Sequence, residues 1–482
     1  MFDSKVNAEL INRLCRTTDS RWPGGALVVH TFIVFTLAGT LTGCASKMAT
    51  IDDARHAFVQ GDLTTAIEVF TDVSQSSDRY ASPAELDLAV VEIASGNVQR
   101  ASKRLRTLRD HFDQASPAKR VVGETLAMVT DDTARSFKPA GYEEVMIRTM
   151  LSMCSLVSGD GDAESYINQA AMRQADLRSA AETQRKKFFP ELLDSTPHQE
   201  LALAPYLRGV LREATHHDFD DAKRNYQLVS AIKPDFMPAF EDFERASVGN
   251  HSQRDHGALY IFALVGRGPV LVPTEAPVTS AAISIASTLL LRDDEKDDDV
   301  TRLPKITSVQ IPSVVVPASP IRAVTVTAQT DLTRTADSQY QLLGATQSLT
   351  DVAGLVQRQA DAERPWVIAR SFARQVGKEL AVAKVRDGLN LDGGLGTAFQ
   401  FVTTTAWTAT EETDTRCWGL LPREIQVLRA ELPVGDHAIH FAPVGDDGFS
   451  IGPEQVKTVH IENGRNTYVV LIAPNQHIHV AQ

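Results

Sequence analysis

The sequence predicts an α+β protein: an N-terminal helical-repeat region, an α-solenoid, followed by a β-rich region with a small antiparallel, sandwich-like β-domain at the C-terminal end. Three observations predict it. A glycine turn followed by Ala and then a large apolar residue recurs 35 residues apart. The hydrophobic period changes from helical to alternating near Gly257. The tail is a series of short β-branched runs separated by Pro and Gly. The expected boundaries are 1–43 for a signal segment, 44–250 for the helical repeats, 257–400 for a mixed β/α region and 410–482 for the β-domain.

At 482 residues the chain exceeds what one hydrophobic core holds, so more than one domain is expected. Its composition is that of an ordinary globular protein, but its net charge is −13. No basic stripe is present, and Lys103-Arg104-Leu105-Arg106 reads as the solvated side of a helix. Phosphate binding needs a basic footprint, so a nucleic-acid partner is not expected. The run Ala26–Thr40 is apolar and preceded by Arg13, Arg16 and Arg21. It is shorter than the roughly 20 residues that span a bilayer, which suits a secretory signal. Leu41-Thr42-Gly43-Cys44 closes it and resembles the lipobox of bacterial lipoproteins. The resemblance makes the Cys44 thiol the nucleophile that accepts a diacylglyceryl group, with small residues before it to admit the peptidase. Each buried methylene of such a chain contributes about 0.8 kcal/mol, and two or three chains anchor firmly. Ala45 in place of Asp implies sorting to the outer membrane, facing the periplasm.

The helical half follows. Gly61-Asp62-Leu63-Thr64-Thr65-Ala66 ending in Phe70 recurs as Gly96-Asn97-Val98-Gln99-Arg100-Ala101 ending in Leu105. This pattern resembles the tetratricopeptide repeat. Glycine supplies a left-handed turn between two helices, Ala66 and Ala101 sit at the close crossing, and Phe70 and Leu105 fill the space beyond. A third copy lies around Gly159 and a fourth contains Ala222 and Tyr226, closing at Pro234. Such arrays bind peptides or partner proteins. Asp160–Glu164 opens like a calcium loop, but Ser165 and Ala171 occupy the positions that need Gly and Glu. His216-His217-Asp218 reads as a turn, since adjacent residues seldom share one metal ion. No metal and no cofactor is expected.

In the second half, 258–265, 306–316 and 321–327 read as strands. Gly266-x-Gly268 is followed by Pro269, which excludes a phosphate loop. Arg292–Asp299 is read as a solvated acidic loop, with weak calcium binding as the alternative. Helical spacing returns over 350–388, as two helices, one with Val352, Leu355 and Val356 and one beginning at Val367. The tail carries strands near 425–432, 437–443, 456–461 and 466–473, with Asn463-Gly464 as a hairpin turn. Cys154 and Cys417 form either one disulfide or two buried thiols.

The chain resembles an uncharacterised family of bacterial lipoproteins that contain tetratricopeptide repeats. The resemblance rests on the lipobox, on Glu143–Arg173 followed by Leu203–Pro234, and on TEETDTRCWGLLPREIQVLRAELPVGDH from Thr410 to His437. It departs at Ser165–Gln169. It implies a cell-envelope lipoprotein and carries no catalytic residues. Within the last block, Asp414, Arg416 and Trp418 suit either an interaction site for a sugar or peptide carboxylate or a clamp between β-domain and helices. The expected function is a non-enzymatic adaptor, lipid-anchored to the membrane, that binds a protein or peptide partner in the cell envelope. The alternatives are an enzyme acting on peptidoglycan or lipid and a structural subunit of an envelope assembly. No GxSxG, HExxH, P-loop or SxxK motif supports the enzyme.

Overall fold

The computed structural model describes residues 47–76, 79–114, 137–188, 201–290, 306–329, 340–388 and 413–481. The signal segment, the lipobox Leu41–Gly43, Cys44, the acidic run Arg292–Asp299 and Thr410–Glu412 lie outside them. The chain divides into two units, Met1–Asp52 and Asp53–Gln482. The described part of the first, residues 47–52, is helical.

The second unit is α+β. It opens with helical residues 53–59 (α1), then α2 (Leu63–Gln75), α3 (Ala81–Ala94), α4 (Val98–Gln114), α5 (Gly141–Ser158), α6 (Ala163–Phe188), α7 (Leu203–Glu213), α8 (Phe219–Ile232) and α9 (Pro238–Ser247). Consecutive helices pack on one another. Three of the turns are made by glycine in the left-handed region. Gly61 and Gly96 both adopt positive φ, +87° and +77°, a conformation that costs other residues about 1–2 kcal/mol. Asp62 then caps α2, accepting from Thr65 N at 3.0 Å. Gly159 makes the same turn between α5 and α6. Between α7 and α8 the left-handed residue is His216.

The helices differ in what they bury. α3 and α5 are enclosed on nearly all sides, as expected for helices sandwiched between two layers. α1, α3, α5 and α7 turn toward the sheets: Phe58 stacks on His479, α3 meets the C-terminal strand, α5 meets the strand at 466–473, and Val210 O accepts from Asn466. Their partners α2, α4, α6 and α8 pack on helices.

The strands are β1 (His256–Arg267), β2 (Val270–Pro277), β3 (Ser308–Val315), β4 (Ala323–Gln329), β5 (Tyr340–Ala345), β6 (Gln347–Asp351), β7 (Pro422–Pro433), β8 (Gly435–Val444), β9 (Gln455–Ile461), β10 (Asn466–Ala473) and β11 (His479–Ala481). One sheet has the order β11-β10-β1-β7-β6, the other β5-β4-β8-β9. β1 is central and buried on both faces. Its Leu259, Ile261, Ala263 and Val265 join Val326, Phe441, Ile461 and Leu471 in the core between the sheets, so alternation turns Tyr260, Phe262 and Leu264 toward the helices. The result is a layer of helices, a five-stranded sheet and a four-stranded sheet. A ribbon of β2 and β3 packs with α10 (Ser280–Leu290) and α11 (Val352–Gly388) around a satellite core containing Ile285, Ile311 and Phe372.

Four expectations change. Strands from 257–400 and 410–482 share both sheets, because β1 pairs with β7 and β10 while β4 pairs with β8. The tail is not wholly antiparallel, since β10 runs parallel to β1. Gly464 does make a turn, at φ +68°, but β9 and β10 belong to different sheets, so the turn changes layer rather than closing a hairpin. One helix, α11, spans 352–388 with Pro365 inside it, where two helices were expected.

Candidate interaction site

The segment that carries Asp414, Arg416 and Trp418 runs between the helices and the five-stranded sheet, immediately before β7. Arg416 grips Asp414 with two bonds of 2.7 Å and donates to Arg79 O at 3.1 Å. Three residues of α1, α3 and α5 then hold the backbone of this segment. Glu143 on α5 accepts from Trp418 N at 2.6 Å. Asp87 on α3 accepts from Leu420 N at 2.9 Å. Arg55 on α1 donates to Cys417 O at 2.8 Å and pairs with Asp87 at 2.8 Å. The Trp418 side chain is fully buried, and its indole Nε1 has no hydrogen-bond partner among the described residues.

Burial shapes the chemistry here. Removal from water pushes the Glu143 carboxyl up to about 7, against the pull of the Trp418 and Ala140 N–H groups that it accepts. Cys417 and Cys154 are free, buried thiols, raised by burial to about 11 and about 12, far from the range of a reactive thiolate. A cavity of about 20 Å³ remains at the seam, room for a single water.

A second polar cluster lies where α7, α8 and α9 meet β1 and β7. Glu213 accepts from Arg245 at 2.5 and 2.9 Å and from the Tyr226 hydroxyl at 2.6 Å. Arg245 also pairs with Asp242 at 2.7 Å. Arg429 on β7 donates to the Tyr260 hydroxyl at 3.1 Å. Burial raises Asp242 above its ordinary carboxylate value, with Arg245 opposing. Arginine suits both clusters because its planar fork satisfies several acceptors at once.

The residues of the expected repeat lie in helices or beside them. Ala66, Phe70, Ala101, Leu105, Ala222 and Tyr226 are all fully buried, and Pro234 follows the end of α8. Gly209 on α7 faces the Tyr226 ring so closely that a Cβ there would lie 2.6 Å from it. Tyr226 therefore serves packing and the Glu213 cluster together. Sequence reasoning missed Arg55, Asp87, Glu143, Glu213, Asp242 and Arg429. Asp87 carried a signal: it interrupts the apolar run Leu86–Ile93, and a charge there requires a buried partner. Among the described residues no group of three or more His, Cys, Asp or Glu is placed to hold a metal ion, and no helix is long and apolar enough to cross a membrane.

Comparison of the chain with family models, curated proteins and solved structures gives no match.

Proposed function

We propose that this chain is a lipid-anchored lipoprotein of the bacterial cell envelope, of the tetratricopeptide-containing kind that its motifs resemble, acting as a non-enzymatic adaptor. On this reading α1–α8 are four repeat pairs, Cys44 carries the lipid, and the anchor faces the periplasm from the outer membrane. The observation that carries the adaptor reading is the equivalence of two turns 35 residues apart. Gly61 and Gly96 share the left-handed conformation, and each is followed by an Ala and a large apolar residue in equivalent, fully buried positions. A repeated unit that stacks on its neighbours presents extended surface for a protein or peptide partner. The β-sheets in this reading fix the array rather than act on a substrate.

The test is chemical crosslinking in intact cells, followed by extraction of membranes and recovery of the mature protein. The expected result is one reproducible protein partner, lost with Cys44→Ser because the unlipidated chain leaves the membrane. Recovery of the protein alone, at full expression and correct lipidation, would count against an adaptor.

A further inference from the structure

We infer that the inner face of the helical array is a surface that reads a peptide segment through its backbone, and that the chain fills it with its own residues 413–421. The inference rests on the adaptor reading and narrows it, because it states what chemistry a partner must bring to that face.

Three features separate this contact from ordinary core packing. First, the contacts read main chain. Glu143 and Asp87 take the N–H groups of Trp418 and Leu420, and Arg55 takes the carbonyl of Cys417. Side chains that take main-chain groups hold a backbone whatever side chains it carries. Second, the readers stand on alternate helices, those that face the sheets. Arg55, Asp87 and Glu143 stand on α1, α3 and α5. Third, the segment is read for sequence as well as for backbone. The indole of Trp418 is enclosed, and Gly419 passes so close to Arg55 that a Cβ would lie 2.2 Å from the guanidinium. Arg416 is pre-set by Asp414 and reaches the carbonyl of Arg79. The recognised ligand is thus an irregular Asp-x-Arg-x-Trp-Gly segment that turns at Gly419. A competing partner would have to carry that chemistry and displace it.

The experiment uses the purified full-length chain and a labelled synthetic peptide of residues 413–422 with Ser in place of Cys417. Wild type should leave the peptide free, because its own segment holds the site. Arg416→Ala and Trp418→Ala, which loosen the resident segment, should each take up the peptide at least about tenfold more tightly than wild type. A Gly419→Ala peptide should fail to bind either variant. The proposal is overturned if either variant keeps its far-ultraviolet circular dichroism and yet binds no peptide. It is also overturned if both variants unfold, since the segment is then core and not ligand. These outcomes concern the pure protein, so they stand apart from success or failure of the cellular crosslinking.

Discussion

Glu143 shows how one residue records its place in the fold. Its carboxylate accepts two backbone N–H groups, from Ala140 at 2.7 Å and from Trp418 at 2.6 Å, yet burial lifts it from 4.5 to about 7. The sign of the linkage follows. Between those values the folded chain holds a proton that the unfolded chain has released. This contribution to stability is therefore complete below about pH 4.5 and is lost as pH rises through about 7, on the order of 3 kcal/mol in all. Glu143→Gln should remove that slope. Below about pH 4.5 it should cost about 1–3 kcal/mol, because its NH₂ group faces a backbone donor, and that deficit should shrink or reverse as pH rises through about 7. Urea unfolding of both proteins at a series of pH values measures the two effects separately, and parallel curves over that window would refute the assignment. The sequence gives no sign that Glu143 differs from Glu144. Both are acids in the first turn of the same helix, and what separates them is a loop 275 residues away. The cluster Asp414, Arg416 and Trp418 was visible as a cluster, because its composition is local. Its surroundings were not, because Arg79, Glu143 and Asp87 reach it only through the tertiary fold.

At the scale of the element, what could be read was the local turn. The pair of turns at Gly61 and Gly96 needed only spacing and the conformational freedom of glycine. The buried alanines followed from helix geometry. Ala101 is fully enclosed between helices, so Ala101→Leu should overpack the crossing and cost about 1–3 kcal/mol. The neighbouring Arg100→Leu should cost little, because that side chain is largely in solvent. Comparison of the two thermal midpoints checks the placement, and equal midpoints would undo it. Other elements were harder to read. β2 carries Pro273 and Pro277, which argue against a strand. It persists because a two-stranded ribbon has free edges, and Pro273 lies opposite Pro312 on β3, where neither needs an N–H. α11 continues through Pro365 although proline removes one helix bond. Its face containing Ile368, Phe372 and Val376 is held by the satellite core, which outweighs the local propensity. The turn at Gly464 misled in the opposite direction. Its chemistry was right, but whether the next strand returns to its own sheet or crosses to another is decided by packing.

Across the whole molecule, the connection between its two ends governs how it folds. β1 lies near the middle of the chain, but its two neighbours are β7 and β10. It can satisfy its backbone only when the last 60 or so residues have arrived. The same residues close the inner side of the helices. α3 and α5 bury almost every side chain, and part of that cover is β10, β11 and the segment at 413–421. A chain ending at residue 410 should therefore retain helical circular dichroism from the local turns while losing fixed packing. It would leave both edges of β1 unpaired and expose apolar faces of Phe58, Val90 and Met150, which line the seam with the sheet. The expected observations are ANS binding, loss of the near-ultraviolet signal and association that grows with concentration. A truncated chain that remained monomeric and melted cooperatively at the midpoint of the full-length protein would show that the array stands alone. The inner helices would then need another source of cover, and the coupling between the helical array and the C-terminal strands argued from β1 would be lost.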